Sequence, residues 1–240
     1  SAKLDTGEWS VIEGDEYKSG PTDTKAKFDY IPATYLLLTG VAWDHADVYP
    51  NEDLYFSAFE RLVGRIPEDG LIVVCADHPG VARVLPHTRA RIITYGRSSG
   101  ADYKYVKVSQ SPKSLRFGIM QGNEAYALES KLIGDFQAEN ITGAFAMAKE
   151  IGLPVKSILA SMSSFGGVKR RLEKRYEGAG VTVIDDIAHS PDKARSILKT
   201  LRNMYGNAKI IAVFEPNSGN RSSETASRYT DAFSAADTVI

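Results

Sequence analysis

The apolar run Val181-Thr182-Val183-Ile184 breaks off into Asp185-Asp186-Ile187-Ala188-His189-Ser190-Pro191, and that break limits the folds open to the chain. A short β-branched run reads as a strand buried on both faces, and a proline after a serine opens a helix at its first position. Strand, acidic turn and helix in that order form the unit of a mostly parallel α/β sheet. Ligands of such sheets bind beyond the carboxyl ends of the strands. An aspartate pair and a histidine at that end are therefore candidate ligand-binding residues.

The same alternation runs along the chain. Strand-like runs occur at Trp9–Ile12, Thr34–Leu38, Leu71–Val74 and Arg91–Tyr95. A helical pattern over Asn51–Val63 places Leu54, Ala58 and Leu62 on one face, and Pro79–Leu85 is a shorter helix. From Tyr103 to Leu128 the period changes to strict alternation. Tyr103, Tyr105 and Val108 lie in one strand, Leu115, Phe117 and Ile119 in a second, and Ala125–Leu128 in a third, with a turn at Gln121-Gly122-Asn123. That is a small antiparallel meander beside a parallel sheet. Helices follow at Ile141–Ile151, ending at Gly152, and at Pro154–Met162. The alternation then restarts with a strand at Val181–Ile184, a helix at Asp192–Tyr205 closed by Gly206, a strand at Ile210–Phe214 and a helix at Ser223–Ala235. A boundary near Lys174–Gly180 divides the chain into domains over residues 1–173 and 174–240. Thr238-Val239-Ile240 read as the opening of another strand, so the expectation is a segment of a longer protein.

Composition serves mainly to exclude. With 29 basic and 30 acidic side chains the net charge is -1, which offers no bulk field for nucleic acid or an anionic membrane. Lys169-Arg170-Arg171 with Lys174 and Arg175 form a local basic cluster, the kind of run that is ordinarily a solvated face. The single cysteine, Cys75, rules out an intrachain disulfide and suits a reducing compartment. No apolar run reaches the roughly 18 residues of a membrane span and no signal peptide opens the chain, so the cytoplasm is the expected location.

Candidate chemistry gathers at strand ends. Glu13-Gly14-Asp15-Glu16 puts carboxylates where a Mg²⁺ ion can be held, or where an acidic loop simply caps a strand. Asp44 and His45 follow the next run and can converge with Glu13 at one sheet edge. Cys75 and His78 have CxxH spacing without a second pair to complete a zinc tetrahedron, so Cys75 reads as a small buried hydrophobe. Gly134-Asp135-Phe136-Gln137-Ala138-Glu139-Asn140 precedes a helix, where an amide side chain caps the helix or reads a purine edge. Gly166-Gly167 joined to the basic cluster suggests polyanion binding at a hinge, and arginine suits bidentate contact with phosphate. Phe214-Glu215-Pro216-Asn217-Ser218-Gly219-Asn220-Arg221 is a polar loop placed for small-substrate recognition. No GxSxG or complete Ser/His/Asp pattern supports a hydrolase.

In their order and spacing, these segments resemble the central and C-terminal domains of the Mur ligase family over about residues 8–240. The motifs EGDEY, then Asp23, Lys27 and Phe28, then WDHADVYP, FGGVKRRLE and FEPNS are most similar to its Mpl subgroup (UDP-N-acetylmuramate:L-alanyl-γ-D-glutamyl-meso-diaminopimelate ligase). The muramate–alanine subgroup is the next nearest. The resemblance implies a truncated, mostly parallel P-loop-like central domain with a small antiparallel meander, followed by an incomplete Rossmann-like C-terminal domain. It implies ATP and Mg²⁺ as cofactors, with UDP-N-acetylmuramic acid and a peptide or amino-acid amine as substrates joined through an acyl phosphate. By resemblance, Glu13 and His45 bind the metal, and His45, Arg171 and His189 are catalytic. Asn140 lies near adenine, Arg171 on the phosphates, Asp186 near the ribose, and Asn217 and Arg221 at the substrate. The family's phosphate loop, GxxxxGK[ST], precedes the position of Glu13 and does not occur in these 240 residues, so the segment alone is expected to be inactive. Its Gly-x-His-Asn reads Gly134-Asp135-Phe136-Gln137 here, and Asn51–Val63 lacks the lysine that some members carbamylate, as both named subgroups do. PNSGNR is not the common form of either subgroup. A non-catalytic binding or scaffold homologue is the rival reading from another class.

Overall fold

The computed structural model describes residues 7–20, 22–43, 48–216, 227 and 229–240. The chain forms two compact units, Ser1–Thr94 and Tyr95–Ile240.

In the first unit β1 (Tyr35–Leu38) and β2 (Leu71–Cys75) pair in parallel, from Tyr35 opposite Leu71 to Leu38 opposite Val74. Every residue of β2 is buried, as a strand covered on both faces requires. The crossover carries α1 (Glu52–Gly64), whose N-cap Asn51 accepts a hydrogen bond from the Leu54 amide at 3.0 Å. Its buried face is Tyr55, Phe56, Ala58, Phe59, Leu62 and Val63. Leu54, expected on that face, is 51% exposed, because the large aromatics one and two positions later fill the core instead. Tyr49 meets Tyr55 edge to face at 5.1 Å between ring centroids, and Phe59 packs on it tilted at 5.0 Å. Next comes α2 (Pro79–Val84), where a Cβ on Gly80 would stand only 1.9 Å from the Val41 carbonyl oxygen. β3 (Arg91–Gly96) carries the chain into the second unit.

The strand expected at Trp9–Ile12 does not form. These residues are irregular and exposed, Val11 by 96%, and Trp9 touches β1 through the Tyr35 ring at 5.2 Å. An apolar run becomes a strand only when a neighbouring strand satisfies its amides, and among the described residues Trp9–Ile12 has none.

In the second unit β3 pairs in parallel with β4 (Tyr103–Gln110). β4, β5 (Leu115–Gln121) and β6 (Glu124–Ser130) form the expected antiparallel meander, with Gly122 at φ 54° in its turn. A bulge between Val106 and Ser109 leaves Lys107 in the left-handed region at φ 54°. α3 (Gln137–Glu150) begins earlier than the expected Ile141, because Gln137–Asn140 already make helical turns onto Gly134, Asp135 and Phe136. α4 (Val155–Ser164) follows. Tyr95, Tyr103, Leu115, Ile119 and Phe145 are buried in this core, and α3 sits so close to Tyr95 that a Cβ on Gly143 would meet its ring at 2.6 Å.

The stretch read as a domain boundary is itself a strand. β7 (Glu173–Gly178) pairs antiparallel with β8 (Val181–Asp185) through Ala179 (φ 50°) and Gly180 (φ 75°). Two consecutive positive φ values make the type I′ turn that matches strand twist. α5 (Pro191–Tyr205) ends at Gly206 with φ 55°. β9 (Ile211–Ala212) pairs in parallel with β10 (Thr238–Val239), as Thr238-Val239-Ile240 led one to expect. Arg202 of α5 ties these pieces together. Its guanidinium donates to the carbonyls of Ala235, Gly206 and Ala208 and to Asp237 Oδ2, the last at 2.7 Å. Of the helix expected at Ser223–Ala235, only Ser227 and Tyr229–Ala235 are described, as short 3-10 and turn structure. Parallel and antiparallel strands with helices between them make this a mixed α/β fold. Among the described residues, no helix is long and apolar enough to cross a membrane.

Candidate functional site

In the first unit the acidic loop is anchored on one side and open on the other. Asp15 accepts from Lys27 Nζ at 2.6 Å and from the Tyr17 amide at 2.8 Å, which holds the loop against the short 3-10 turn Lys27–Tyr30. The Tyr49 hydroxyl donates to the Glu16 carbonyl at 2.6 Å, and Trp43 Nε1 donates to the Tyr49 carbonyl at 3.0 Å. Burial and the nearby Glu16 carboxylate push the Tyr49 hydroxyl above its ordinary pKa, so it stays a donor. Tyr49 thus links the acidic loop to both flanks of residues 44–47. Asp44 and His45 lie outside the described residues. Glu13 is exposed and makes no hydrogen bond or ion pair with a described residue, which leaves its carboxylate available as a hard oxygen ligand. Cys75 is buried, and the His78 ring packs on Gly40, where a Cβ would approach it to 3.2 Å.

In the second unit the basic cluster separates into two kinds of residue. Arg170 faces Asp185 at 3.9 Å, Lys174 donates to the Pro112 carbonyl and Glu177, and Arg175 pairs with Glu173 at 3.0 Å. Lys169 and Arg171 are exposed and make no ion pair with a described residue. The backbone on which Arg171 stands is held at each step. The Arg170 amide donates to Glu173 Oε2 at 2.9 Å, and the Ile187 amide donates to the Arg170 carbonyl at 2.9 Å. The Arg171 amide donates to the Val168 carbonyl at 3.2 Å, and the Leu172 amide to Asp186 Oδ2 at 2.8 Å. The Arg170 amide and the Arg175 guanidinium hold the Glu173 carboxyl below its usual range.

Asp186 therefore joins two loops. Its other oxygen, Oδ1, accepts from the Ala188 amide at 2.8 Å. The His189 ring turns back onto its own loop, with Nδ1 2.8 Å from the Ile187 carbonyl oxygen. A carbonyl can only accept, so Nδ1 carries the proton and Nε2 is the acceptor in the neutral ring. Arg171, Asp186 and His189 are brought together by backbone contacts between these two loops.

Asn140 sits on the exposed side of α3 and donates to Gln137 Oε1 at 3.2 Å, so it does not cap the helix. Gln110 at the end of β4 accepts from the Gly134 amide at 3.0 Å and thereby fixes the turn that opens α3. Near it lies a cleft of about 580 Å³ lined by Arg97, Tyr105, Lys107, Asp135 and Asn203, among others. Arg97 stacks over the Tyr105 ring at 5.1 Å, and the Tyr105 hydroxyl donates to Glu139 at 3.1 Å. Gln110 is marked by no sequence motif, since it acts on the distant Gly134 amide, and Leu172, although inside FGGVKRRLE, acts through its backbone amide on the Asp186 carboxylate. Asn217 and Arg221 lie outside the described residues.

Comparison with known proteins bears on family and fold. The family model for the Mur ligase middle domain matches residues 6–148, and that for the Mur ligase, glutamate ligase domain matches residues 170–240. The UDP-N-acetylmuramate–L-alanine ligase of Anaeromyxobacter sp. (strain Fw109-5) is 32% identical over 100% of this chain and 51% of its own length. The crystal structure of the UDP-N-acetylmuramate–alanine ligase from Thermotoga maritima matches with a TM-score of 0.71 at 26% identity, over 87% of this chain and 45% of that one. A murein peptide ligase from Psychrobacter arcticus shares the fold with a TM-score of 0.66 at 23% identity, over 100% of this chain and 50% of that one. The chain spans about half the length of the curated relatives it matches.

Proposed function

Since the chain belongs to the Mur ligase family, we propose that it forms the central and C-terminal part of an ATP-dependent ligase of peptidoglycan synthesis. The ligase joins the carboxylate of UDP-N-acetylmuramic acid to an amine, with residues 1–173 as the nucleotide-binding domain and 174–240 as the beginning of the amine-substrate domain. The observation that carries this reading is the exposed Arg171, which makes no ion pair with a described residue, on a backbone held at each step, inside a loop clasped by Asp186. Bound ATP and Mg²⁺ supply a phosphoryl group that activates the carboxylate and a cation that offsets its charge.

The chain's own part is electrostatic and positional. Arg171 lies on the phosphates, where a planar guanidinium meets negative charge bidentately. Glu13 and His45 hold the metal, an assignment that the open Glu13 carboxylate fits. Asn140 lies near adenine and Asp186 on the ribose side. His189, whose Nε2 is the acceptor nitrogen, serves the reacting groups, and Asn217 and Arg221 read the amine substrate.

L-alanine is the first choice of amine, because the relatives at about a third identity carry that name. A peptide amine is the second reading, favoured by the motifs EGDEY, WDHADVYP and FGGVKRRLE. Phosphate release by the full-length gene product, with UDP-N-acetylmuramic acid and each amine in turn, tests both. Release with L-alanine and not with the tripeptide is expected, the reverse selects the peptide reading, and release with neither refutes the ligase assignment.

A further inference from the structure

The expected place of Asp186, near the ribose, does not account for what its carboxylate does. Each oxygen already serves a backbone amide, Oδ2 that of Leu172 at 2.8 Å and Oδ1 that of Ala188 at 2.8 Å. Both Arg170 (φ 57°) and Leu172 (φ 46°) are in the left-handed region, where the Cβ of a non-glycine residue crowds its own backbone. A loop with two such residues needs external bonds to stay in that shape. Arg171 is the residue between them. Leu172 is buried, while the Arg171 side chain is exposed and makes no hydrogen bond or ion pair with a described residue.

We infer that Asp186 is a positioning residue for Arg171: its carboxylate locks the Arg170–Leu172 backbone, and the guanidinium so presented meets the nucleotide phosphates. The inference rests on the phosphate role of Arg171 proposed above and adds to the place of Asp186 on the ribose side, since each carboxylate oxygen that accepts an amide keeps a second lone pair. The same carboxylate carries the Ala188 amide, so the lock also fixes the loop leading to His189. One side chain thereby sets two functional groups in register. A displacement of about 1 Å in such a group can cost about a hundredfold in rate.

The test is a double-mutant cycle in the full-length gene product, with kcat/KM for ATP as the readout. Asp186→Ala is expected to lower kcat/KM by about a hundredfold when Arg171 is present. In an Arg171→Ala background the loss is expected to shrink by at least about tenfold, what remains arising at the His189 loop, because residues acting through one contact are not additive. If the Asp186→Ala loss persists undiminished beside Arg171→Ala and shrinks with 2′-deoxy-ATP or 3′-deoxy-ATP as substrate, Asp186 reads the ribose and the inference is overturned. Arg171→Ala alone leaving kcat/KM unchanged sinks the phosphate reading itself, a failure seen without touching Asp186. Asp186→Asn preserves size but offers a single acceptor oxygen, so hydrogen exchange should speed up at one of the Leu172 and Ala188 amides. In Asp186→Ala it should speed up at both. Unchanged exchange at both amides in a folded variant overturns the lock.

Discussion

Replacing Gly80 by alanine sets two effects of opposite sign against each other. Alanine is the better helix former, by about 0.8–1 kcal/mol in a helix interior, and by less at the second position of α2. Against this, the new Cβ would stand 1.9 Å from the Val41 carbonyl oxygen, 2.9 Å from its carbon and 3.0 Å from Phe56 Cζ. Comfortable non-bonded contact begins at about 3.5 Å, so the Val41 carbonyl has to retreat by roughly 1.5 Å. The obstacle is backbone, and Val41 is itself 3% exposed, which leaves it little room to move. Overpacking of this kind costs about 1–3 kcal/mol and more where backbone must shift, so the clash wins and the net loss is about 2 kcal/mol. For a chain of this size that is a fall in Tm of roughly 4–8 °C. Urea unfolding followed by circular dichroism measures it, with Gly166→Ala as control, since Gly166 has open space around its Cβ position. A Gly80→Ala protein as stable as the control would show that propensity outweighs the contact and that α2 does not rest on Val41. Val41 stands shortly before His45 in sequence, so the same substitution should lower ligase turnover beyond its effect on stability.

Asn51→Ala removes the cap of α1 and should cost about 1 kcal/mol, seen as a lower urea midpoint with an unchanged slope. Burial, then the Glu139 carboxylate, pushes the Tyr105 hydroxyl up to about 12. The folded state therefore holds that proton while the unfolded chain releases it near pH 10. The stability this group contributes is complete below that pH and is lost as pH rises toward 12. Ultraviolet titration should show fewer phenolates at pH 11 than in the unfolded chain, since burial also raises Tyr103 and Tyr49, and Tyr105→Phe should reduce that deficit by one. Glu13→Ala in the full-length protein should abolish turnover at saturating Mg²⁺ and leave Tm unchanged, because the side chain is exposed and makes no hydrogen bond or ion pair with a described residue. Full activity in that variant would reject its metal role.

What was legible in the sequence follows from where burial does the choosing. β2 is apolar at every position because both of its faces are covered, and the meander alternates because one of its faces is. β7 reads Glu-Lys-Arg-Tyr-Glu-Gly and carries no such mark, since none of it is fully buried and its pairing is dictated by the Ala179-Gly180 turn. Trp9–Ile12 shows the converse error, an apolar pattern without a neighbouring strand to pair with. At the candidate site, Arg171, Asp186 and His189 stand out as side chains in a familiar spacing. The hydrogen bond that relates them runs through the Leu172 amide, and an amide is the same in every residue, so no motif records it.

The staple made by Arg202 has a consequence for how this part of the chain can vary. Residues 213–237 leave from β9 and return to β10, two strands paired side by side, and Arg202 grips the chain at Gly206, Ala208, Ala235 and Asp237. Entry and exit are thus closed independently of what lies between them. The closure entropy of a loop grows only slowly with its length, by about 0.6 kcal/mol per doubling. The excursion between β9 and β10 is therefore an exchangeable cassette, free to change length while the strand pair and the Arg202 staple stay as they are.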